Sequence, residues 1–288
     1  MHTESAVNYS LPLEKIIQDR FEQLTPNQAK LARYFLAQQQ HIVFKPAAKI
    51  AREVGVSEST VVRFSIALGF EGFAHLQNRL KESLISRISP TQRLRAVEGW
   101  HDGYFAAFEA DRENIDRTRD SNSPEWVDQA VRMILEARRV YILGYRPSKS
   151  AADFFATILG QAVPDVYAID AGSGEHISML MNFTPEDLVI AISFPRYSRK
   201  IYEVFKWAHS TGCKRIAITD SRVAPIGRIA DVVLLANVRY PSYFNSNAGA
   251  FALINCIISS VVQRIRRQSL HRLTRLENMM KEMNELME

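Results

Sequence analysis

The stretch Pro46-Ala47-Ala48-Lys49-Ile50-Ala51-Arg52-Glu53-Val54-Gly55-Val56-Ser57-Glu58-Ser59-Thr60-Val61-Val62-Arg63-Phe64-Ser65-Ile66-Ala67-Leu68-Gly69 decides how the first third of the chain folds. Two short helices that cross closely need a small residue in the first, and Ala51 supplies it. Gly55 follows where the tight turn between them demands tolerance of positive φ. Val56 and Val61 are placed to anchor that turn to a core. Ser57 stands at the N-cap of the second helix, whose first backbone N–H groups are then available to a phosphate. That helix presents Glu58, Ser59, Thr60 and Arg63 from its opening turns, with Lys49 on the helix before it. Small hydroxyl side chains permit close approach to the major groove, and an arginine reaches a guanine edge or a phosphate. The pattern predicts a DNA-binding helix-turn-helix with Lys49, Ser57, Glu58, Ser59, Thr60 and Arg63 as its contacts. The spacing assigns no face to Val62, Ile66 and Ala67. The competing reading is a helical hairpin in a plain bundle, and the Ala, Gly and Ser offsets weigh against it.

Outward from this stretch the apolar spacing stays helical. Leu13, Ile16, Ile17, Phe21 and Leu24 mark one helix. Thr25-Pro26 opens another, with Thr25 at the N-cap and Pro26 at N1. A fifth helix is expected over 73–87. No period-two alternation occurs before residue 88, so 1–88 reads as an all-α domain. It carries 11 Lys and Arg against 8 Asp and Glu, a net charge of only +3. Phosphate attraction that modest calls for two copies on DNA, hence a roughly palindromic operator.

Residues 89–123 read as a linker containing a helix near 104–118, broken by Asp120-Ser121-Asn122-Ser123-Pro124. From Pro124 the pattern changes. Short apolar runs at 140–143, 165–169, 187–193, 215–219 and 231–235 alternate with helical segments. This predicts an α/β domain with a parallel sheet flanked by helices over 124–270, followed by a C-terminal helix over 271–288. Ligands bind outside the carboxyl ends of such strands. Two loops there combine hydroxyls and cations at a helix start: Arg146, Ser148 and Ser150 after the first strand, and Ser193, Arg196, Tyr197 and Ser198 after the third. That chemistry suits a phosphate or carboxylate, although serine N-capping alone would explain one such loop. Glu175 and His176, after the turn Ala171-Gly172-Ser173-Gly174, are further effector-site candidates or an acid–base pair. Tyr240, Tyr243 and Phe244 read as a packing cluster.

Composition excludes little by itself. The 288 residues are 47% hydrophobic and 23% charged, with a net charge of +5. Cys213 and Cys256 read as reduced core thiols, with no metal-ligand spacing around them, and no cofactor motif is present. The N-terminus lacks a basic start followed by an apolar run, so no signal peptide is expected. The apolar run 248–262 is shorter than the ~20 residues of a membrane span. It reads as a buried helix, and the chain as cytoplasmic with no membrane partner. The basic residues of 264–281 read as a solvated helix face partnered by Glu277 and Glu282.

The layout resembles the RpiR family of bacterial transcriptional regulators over about 25–262. The likeness is sharpest at Ser57-Glu58-Ser59-Thr60-Val61-Val62-Arg63-Phe64 and Leu68-Gly69-Phe70-Glu71-Gly72-Phe73. The resemblance implies a C-terminal sugar isomerase (SIS) domain that senses a phosphosugar, a homodimer or homotetramer, and no catalysis. The chain departs from the family where Arg146 and Arg196 stand at positions often held by glycine, and where Pro195 replaces serine. These cations either bind an anionic effector or fill its pocket. Two other readings stay open at this point: a SIS domain used only for oligomerisation, and an isomerase with Glu175 or His176 as base.

Overall fold

The structure, a computed structural model, describes residues 13–42, 45–85, 89–96, 103–174, 176–240 and 242–285. The chain divides into two compact units, Met1–Ser89 and Pro90–Glu288. The first is helical throughout its described residues: α1 (Leu13–Arg20) with a 3-10 turn at Phe21–Gln23, α2 (Pro26–Ile42), α3 (Ala47–Val54), α4 (Glu58–Ala67) and α5 (Phe73–Ile85). Their inner faces meet in one core that fully buries Ile17, Leu31, Phe35, Ile50, Val61, Phe64, Leu68 and Leu76. Phe35 and Phe64 meet edge to face with centroids 5.2 Å apart. At the start of α2 the Thr25 amide donates to Gln28 Oε1 at 2.9 Å, the backbone half of a capping box. Gly55 has φ 73, which ends α3 in the left-handed conformation the turn requires.

The second unit opens with α6 (Pro90–Ala96) and α7 (Gly103–Asp120), then α8 (Pro124–Glu136) and β1 (Val140–Gly144). There follow α9 (Pro147–Ala162), β2 (Val166–Asp170), α10 (His176–Leu180), β3 (Leu188–Ile192), α11 (Arg199–Ser210), β4 (Lys214–Thr219) and β5 (Val232–Leu235). The strands form one parallel sheet in the order β2-β1-β3-β4-β5. Period-two alternation sends Ile142, Leu188, Ile190, Ile216 and Leu234 into a core shared with α8, α9 and α12 (Ala248–Arg264). Tyr141, Leu143, Val189, Ala191 and Ala217 face the opposite way, onto α11. Gly144 ends β1 where no side chain fits, because a Cβ there would lie 2.6 Å from the Ser148 carbonyl oxygen.

The 89–123 stretch, expected as a linker containing a helix near 104–118, provides α6 and α7, and both belong to the second unit. Three polar residues four apart, Asn114 and Thr118 on α7 and Asn122 just after it, pair with the end of β5 and the backbone that leaves it. Asn122 donates to the Leu235 carbonyl at 2.7 Å and accepts the Leu235 amide at 2.8 Å. Thr118 Oγ1 accepts the Asn237 amide at 2.9 Å. Asn114 donates to the Arg239 carbonyl at 2.6 Å and accepts the Arg239 amide at 3.0 Å. Four helical residues rise about 6 Å and two extended residues about 6.6 Å, so the repeats match. These side chains thereby meet the end of β5 and the extended segment after it as a further strand would. Gly249 allows the approach, since a Cβ there would lie 2.6 Å from both Asn237 O and Thr118 Oγ1.

Three sequence expectations are corrected. Cys213 is buried but Cys256 is exposed, because α12 buries only the face of Leu253, Ile254, Ile257, Ile258 and Val261. α12 breaks at Ile265, and α13 (Arg266–Glu282) leaves at 104°. Two basic residues of this region reach the domain rather than Glu277 and Glu282: Arg264 pairs with Asp128 at 2.8 Å, and Arg272 donates to the Gly160 carbonyl at 3.1 Å. Among the described residues no single helix is long and apolar enough to cross a membrane.

Asn114 is buried, so Asn114→Ala strands both the amide and the carbonyl of Arg239. A loss of about 2–4 kcal/mol is expected in urea unfolding of the second unit, two unmet backbone groups at ~1–2 each. A loss under about 0.5 kcal/mol, the scale of a surface substitution, would remove the ladder's role.

Candidate functional site

The helix-turn-helix site is built by the two faces of α4. Val61, Phe64, Ser65 and Leu68 follow helical spacing into the core. Ser59, Val62, Arg63 and Ile66 follow the same spacing on the exposed face. Val62 and Ile66, which the sequence left unassigned, thus flank Arg63. They are 37% and 53% exposed, an apolar stripe in the open beside a cation. Ser57 caps α4 by accepting the Thr60 amide at 3.2 Å. Its hydroxyl also lies 2.9 Å from Ser59 Oγ and 2.7 Å from Thr60 Oγ1. Arg63 Nη2 donates to Ser59 Oγ at 3.3 Å, which lays the guanidinium along the helix toward its N-terminus. Glu58 and Lys49 are both exposed.

One charged cluster fixes the helix ahead of this face. Lys45 donates to Glu53 at 2.5 Å and to the Tyr34 hydroxyl at 2.9 Å, and the Tyr34 hydroxyl donates to Glu53. It joins α2 to α3 and to the segment before it. The Lys45 hydrogen bond, then that of Tyr34, holds the Glu53 carboxyl below its ordinary pKa.

In the second unit, β1 runs beside β2 on one flank and β3 on the other, so the sheet reverses its winding between β1 and β3. The two sequence-nominated loops leave those adjacent strands. Arg146 has φ 54 and ψ −130, and Arg196 has φ 69. Only two other non-glycine residues among those described take positive φ, Asp165 and Asn284, and Asp and Asn tolerate it. Each arginine therefore holds a backbone conformation suited to glycine, at a cost of order 1–3 kcal/mol. Both side chains are exposed, and neither forms an ion pair with a carboxylate among the described residues.

The remaining candidates divide. Ser148 and Ser193 are buried at the loop bases. Ser150 donates back to the Pro147 carbonyl at 2.8 Å. Ser198 occupies the N-cap of α11, yet its side chain makes no cap hydrogen bond, so capping does not account for it. Tyr197 donates to Asp220 at 2.8 Å, fastening its loop to the end of β4. Lys149 is paired with Asp153 at 2.5 Å. Glu175 lies outside the described residues, and His176 begins α10. Tyr145, unnoticed in the sequence, is where the loops meet. Arg146 lies 5.5 Å and Lys200 5.2 Å from its ring centroid. Gly172 packs so close that a Cβ would be 2.4 Å from the ring.

A helix-turn-helix unit joined to a five-stranded parallel α/β domain of SIS type defines a two-domain transcriptional regulator. The sequence matches the helix-turn-helix domain of the rpiR family over residues 11–87 and the SIS domain over 133–260. The chain belongs to the RpiR family of transcriptional regulators. The sugar isomerase domain of an RpiR transcription factor from Sphaerobacter thermophilus is 30% identical, with a TM-score of 0.58 over 60% of this chain and 96% of that one. The HTH-type transcriptional regulator HexR of Escherichia coli (strain K12) is 27% identical over 228 residues, 78% of each chain. The NanR protein of Vibrio vulnificus complexed with ManNAc-6P shares the fold at 16% identity and a TM-score of 0.58, over 94% of this chain and 99% of that one.

Because the folded Glu53 pKa is depressed, its contribution to stability is full above the unfolded value near 4.5 and is lost as pH falls through and below it. Glu53→Gln should therefore lower the stability of the helical unit at pH 7 and flatten its decline between about pH 5 and pH 3. Parallel acid limbs in urea titrations of the two proteins would show that the cluster does not act this way.

Proposed function

We propose that this regulator binds an operator through α4 and is controlled by a small anionic metabolite, a phosphosugar or a sugar or organic acid, held at the carboxyl ends of β1 and β3. The carrying observation is the pair of arginines at positive φ on adjacent strand ends. Strain of that kind persists where the surroundings over-determine it, and it clusters at ligand clamps. Arginine's planar fork suits a phosphate or carboxylate. Both loops also open onto helix N-termini, of α9 and α11, whose dipoles favour negative charge. Arg146, Ser148, Ser193, Arg196, Tyr197 and Ser198 make up the proposed site; Ser150 borders it, and Glu175 and His176 remain candidates from the neighbouring loop. The protein acts on DNA as a homodimer or homotetramer in the cytoplasm and performs no catalysis.

On the DNA side, Arg63 reads a guanine edge or a phosphate, with Ser57, Ser59 and Thr60 at the backbone and Glu58 facing base edges. Val62 and Ile66 join them: an exposed apolar stripe beside Arg63 fits the thymine C5-methyl groups of the major groove. Lys49 supplies a phosphate contact from α3.

Arg63→Ala should weaken operator binding by about 1–3 kcal/mol and relax specificity at one position. Lys49→Ala should weaken all sequences alike and reduce the salt slope by about one. Mobility shifts against operator and scrambled duplex at several salt concentrations distinguish the two, and an unchanged specificity ratio for Arg63→Ala would remove its base-reading role. For the effector, a thermal-shift screen of phosphosugars and organic acids should find an anion that raises Tm for the wild type and fails to do so for Arg196→Gln. Equal stabilisation of both proteins would place the anion elsewhere.

A further inference from the structure

Arg93 lies on α6, before the SIS match begins, and its side chain is buried, with 3% exposure. Its Nη1 donates to Asn245 Oδ1 at 2.7 Å, and its Nη2 to the carbonyls of Phe244 at 2.7 Å and Tyr240 at 3.2 Å. All three acceptors are neutral. The buried Nε has no partner. No carboxylate pairs with Arg93 among the described residues, and the nearby Asp111 is engaged by the Ser246 hydroxyl at 2.5 Å. A buried cation held by neutral groups alone, with a donor left unmet, is an unfavourable arrangement unless an anion completes it.

The surroundings say where that anion sits. The segment that holds Arg93 also reaches the first effector loop, because Asn247 donates to the Pro147 carbonyl at 3.2 Å. From the second loop, Arg196 comes close enough that its like charge adds to burial in lowering the Arg93 pKa. Neither guanidinium is neutralised by a described carboxylate, and Arg93 carries its charge in a buried place.

We infer that Arg93 is a third arginine of the effector site, and that an anionic group of the effector completes its unmet donor beside the effector loops. This rests on the effector reading proposed above and adds a route for control. α6 begins at Pro90, the first residue of the second unit, directly after the boundary at Ser89. An anion held at once by Arg93 and by the effector loops fastens to those loops the segment that continues into the helical unit. Effector occupancy is then read by α6 through differential contact in the bound and free states.

The test uses the full chain titrated with inorganic phosphate, with chloride at matched ionic strength as the blank, followed by thermal shift and by hydrogen exchange of residues 90–96. Two variants address Arg93. Arg93→Gln removes the charge. Asn245→Asp keeps the acceptor and the shape but gives Arg93 a fixed carboxylate, and it decides the question should Arg93→Gln fail to fold. For each, the phosphate concentration giving half the maximal shift should rise at least about tenfold, the scale for losing a hydrogen bond to a charged group. Phosphate should slow exchange in 90–96 in the wild type but not in Arg196→Gln. If both Arg93-directed variants respond like the wild type while Arg196→Gln does not, the anion site exists without Arg93 and the inference is overturned. If neither phosphate nor any anion of the screen stabilises the wild type, the effector reading fails and this inference with it.

Discussion

The second unit depends on the fit between α7 and the backbone that leaves β5. Asn114, Thr118 and Asn122 stand one helical turn apart and meet alternate residues of an extended segment. The fit works because two lengths nearly coincide: the rise of four helical residues and that of two strand residues. Once residues 235–239 are fixed in this way, residues 240–247 have a defined origin. That segment carries the three acceptors of Arg93 and the Asn247 side chain that reaches the β1 loop. The bonding at the end of β5 and the placing of the 240–247 segment are therefore one structural device, and a helix that the sequence assigns to a linker supplies it.

Most of the fold was legible because it is written in local periodicity. All five strands fall within about a residue of the apolar runs that nominate them, and the helix-turn-helix follows from Ala51, Gly55 and Ser57 alone. The helix-turn-helix and SIS domains stand as the sequence describes them. What escaped has a common cause. The partners of Asn114, Thr118 and Asn122 lie more than a hundred residues away, and those of Arg93 nearly a hundred and fifty. A polar stripe on a helix looks the same whether it meets water or a strand edge. Cys256 misled for the opposite reason: an apolar run hides which side of its helix is exposed, and only packing decides. Val62 and Ile66 needed the same information, since both helix faces carry branched apolar residues.

The two loops show sequence and geometry constraining each other. The sequence places arginines where the family often has glycine. The backbone keeps the glycine-like conformation at both positions and accepts the strain. Bulk alone does not explain this choice, because any side chain at those positions would bear the same backbone cost. A guanidinium offers forked donors and permanent charge, and both side chains lie exposed at the ends of adjacent strands rather than folded against a carboxylate. The exposure of both side chains supports the proposed binding over a filling of the pocket. A filling side chain would be buried, whereas the buried polar groups here are Ser148 and Ser193 at the loop bases.

Control of a DNA-binding unit by a distant ligand requires that bound and free forms differ in free energy at a segment both units share through the chain. The sheet is a poor candidate, because its strands are packed on both faces and resist graded deformation. α6 is a better one. It is one short helix whose buried arginine has neutral acceptors and a donor unmet. Without an anion the cation is held by neutral acceptors alone. In the proposed bound state the effector's anion meets it, and a buried cation gains most from a partner of opposite charge. The sign of that change follows from charge, so the ligand need do no more than reach the Arg93 guanidinium to alter how firmly the chain entering the helical unit is held.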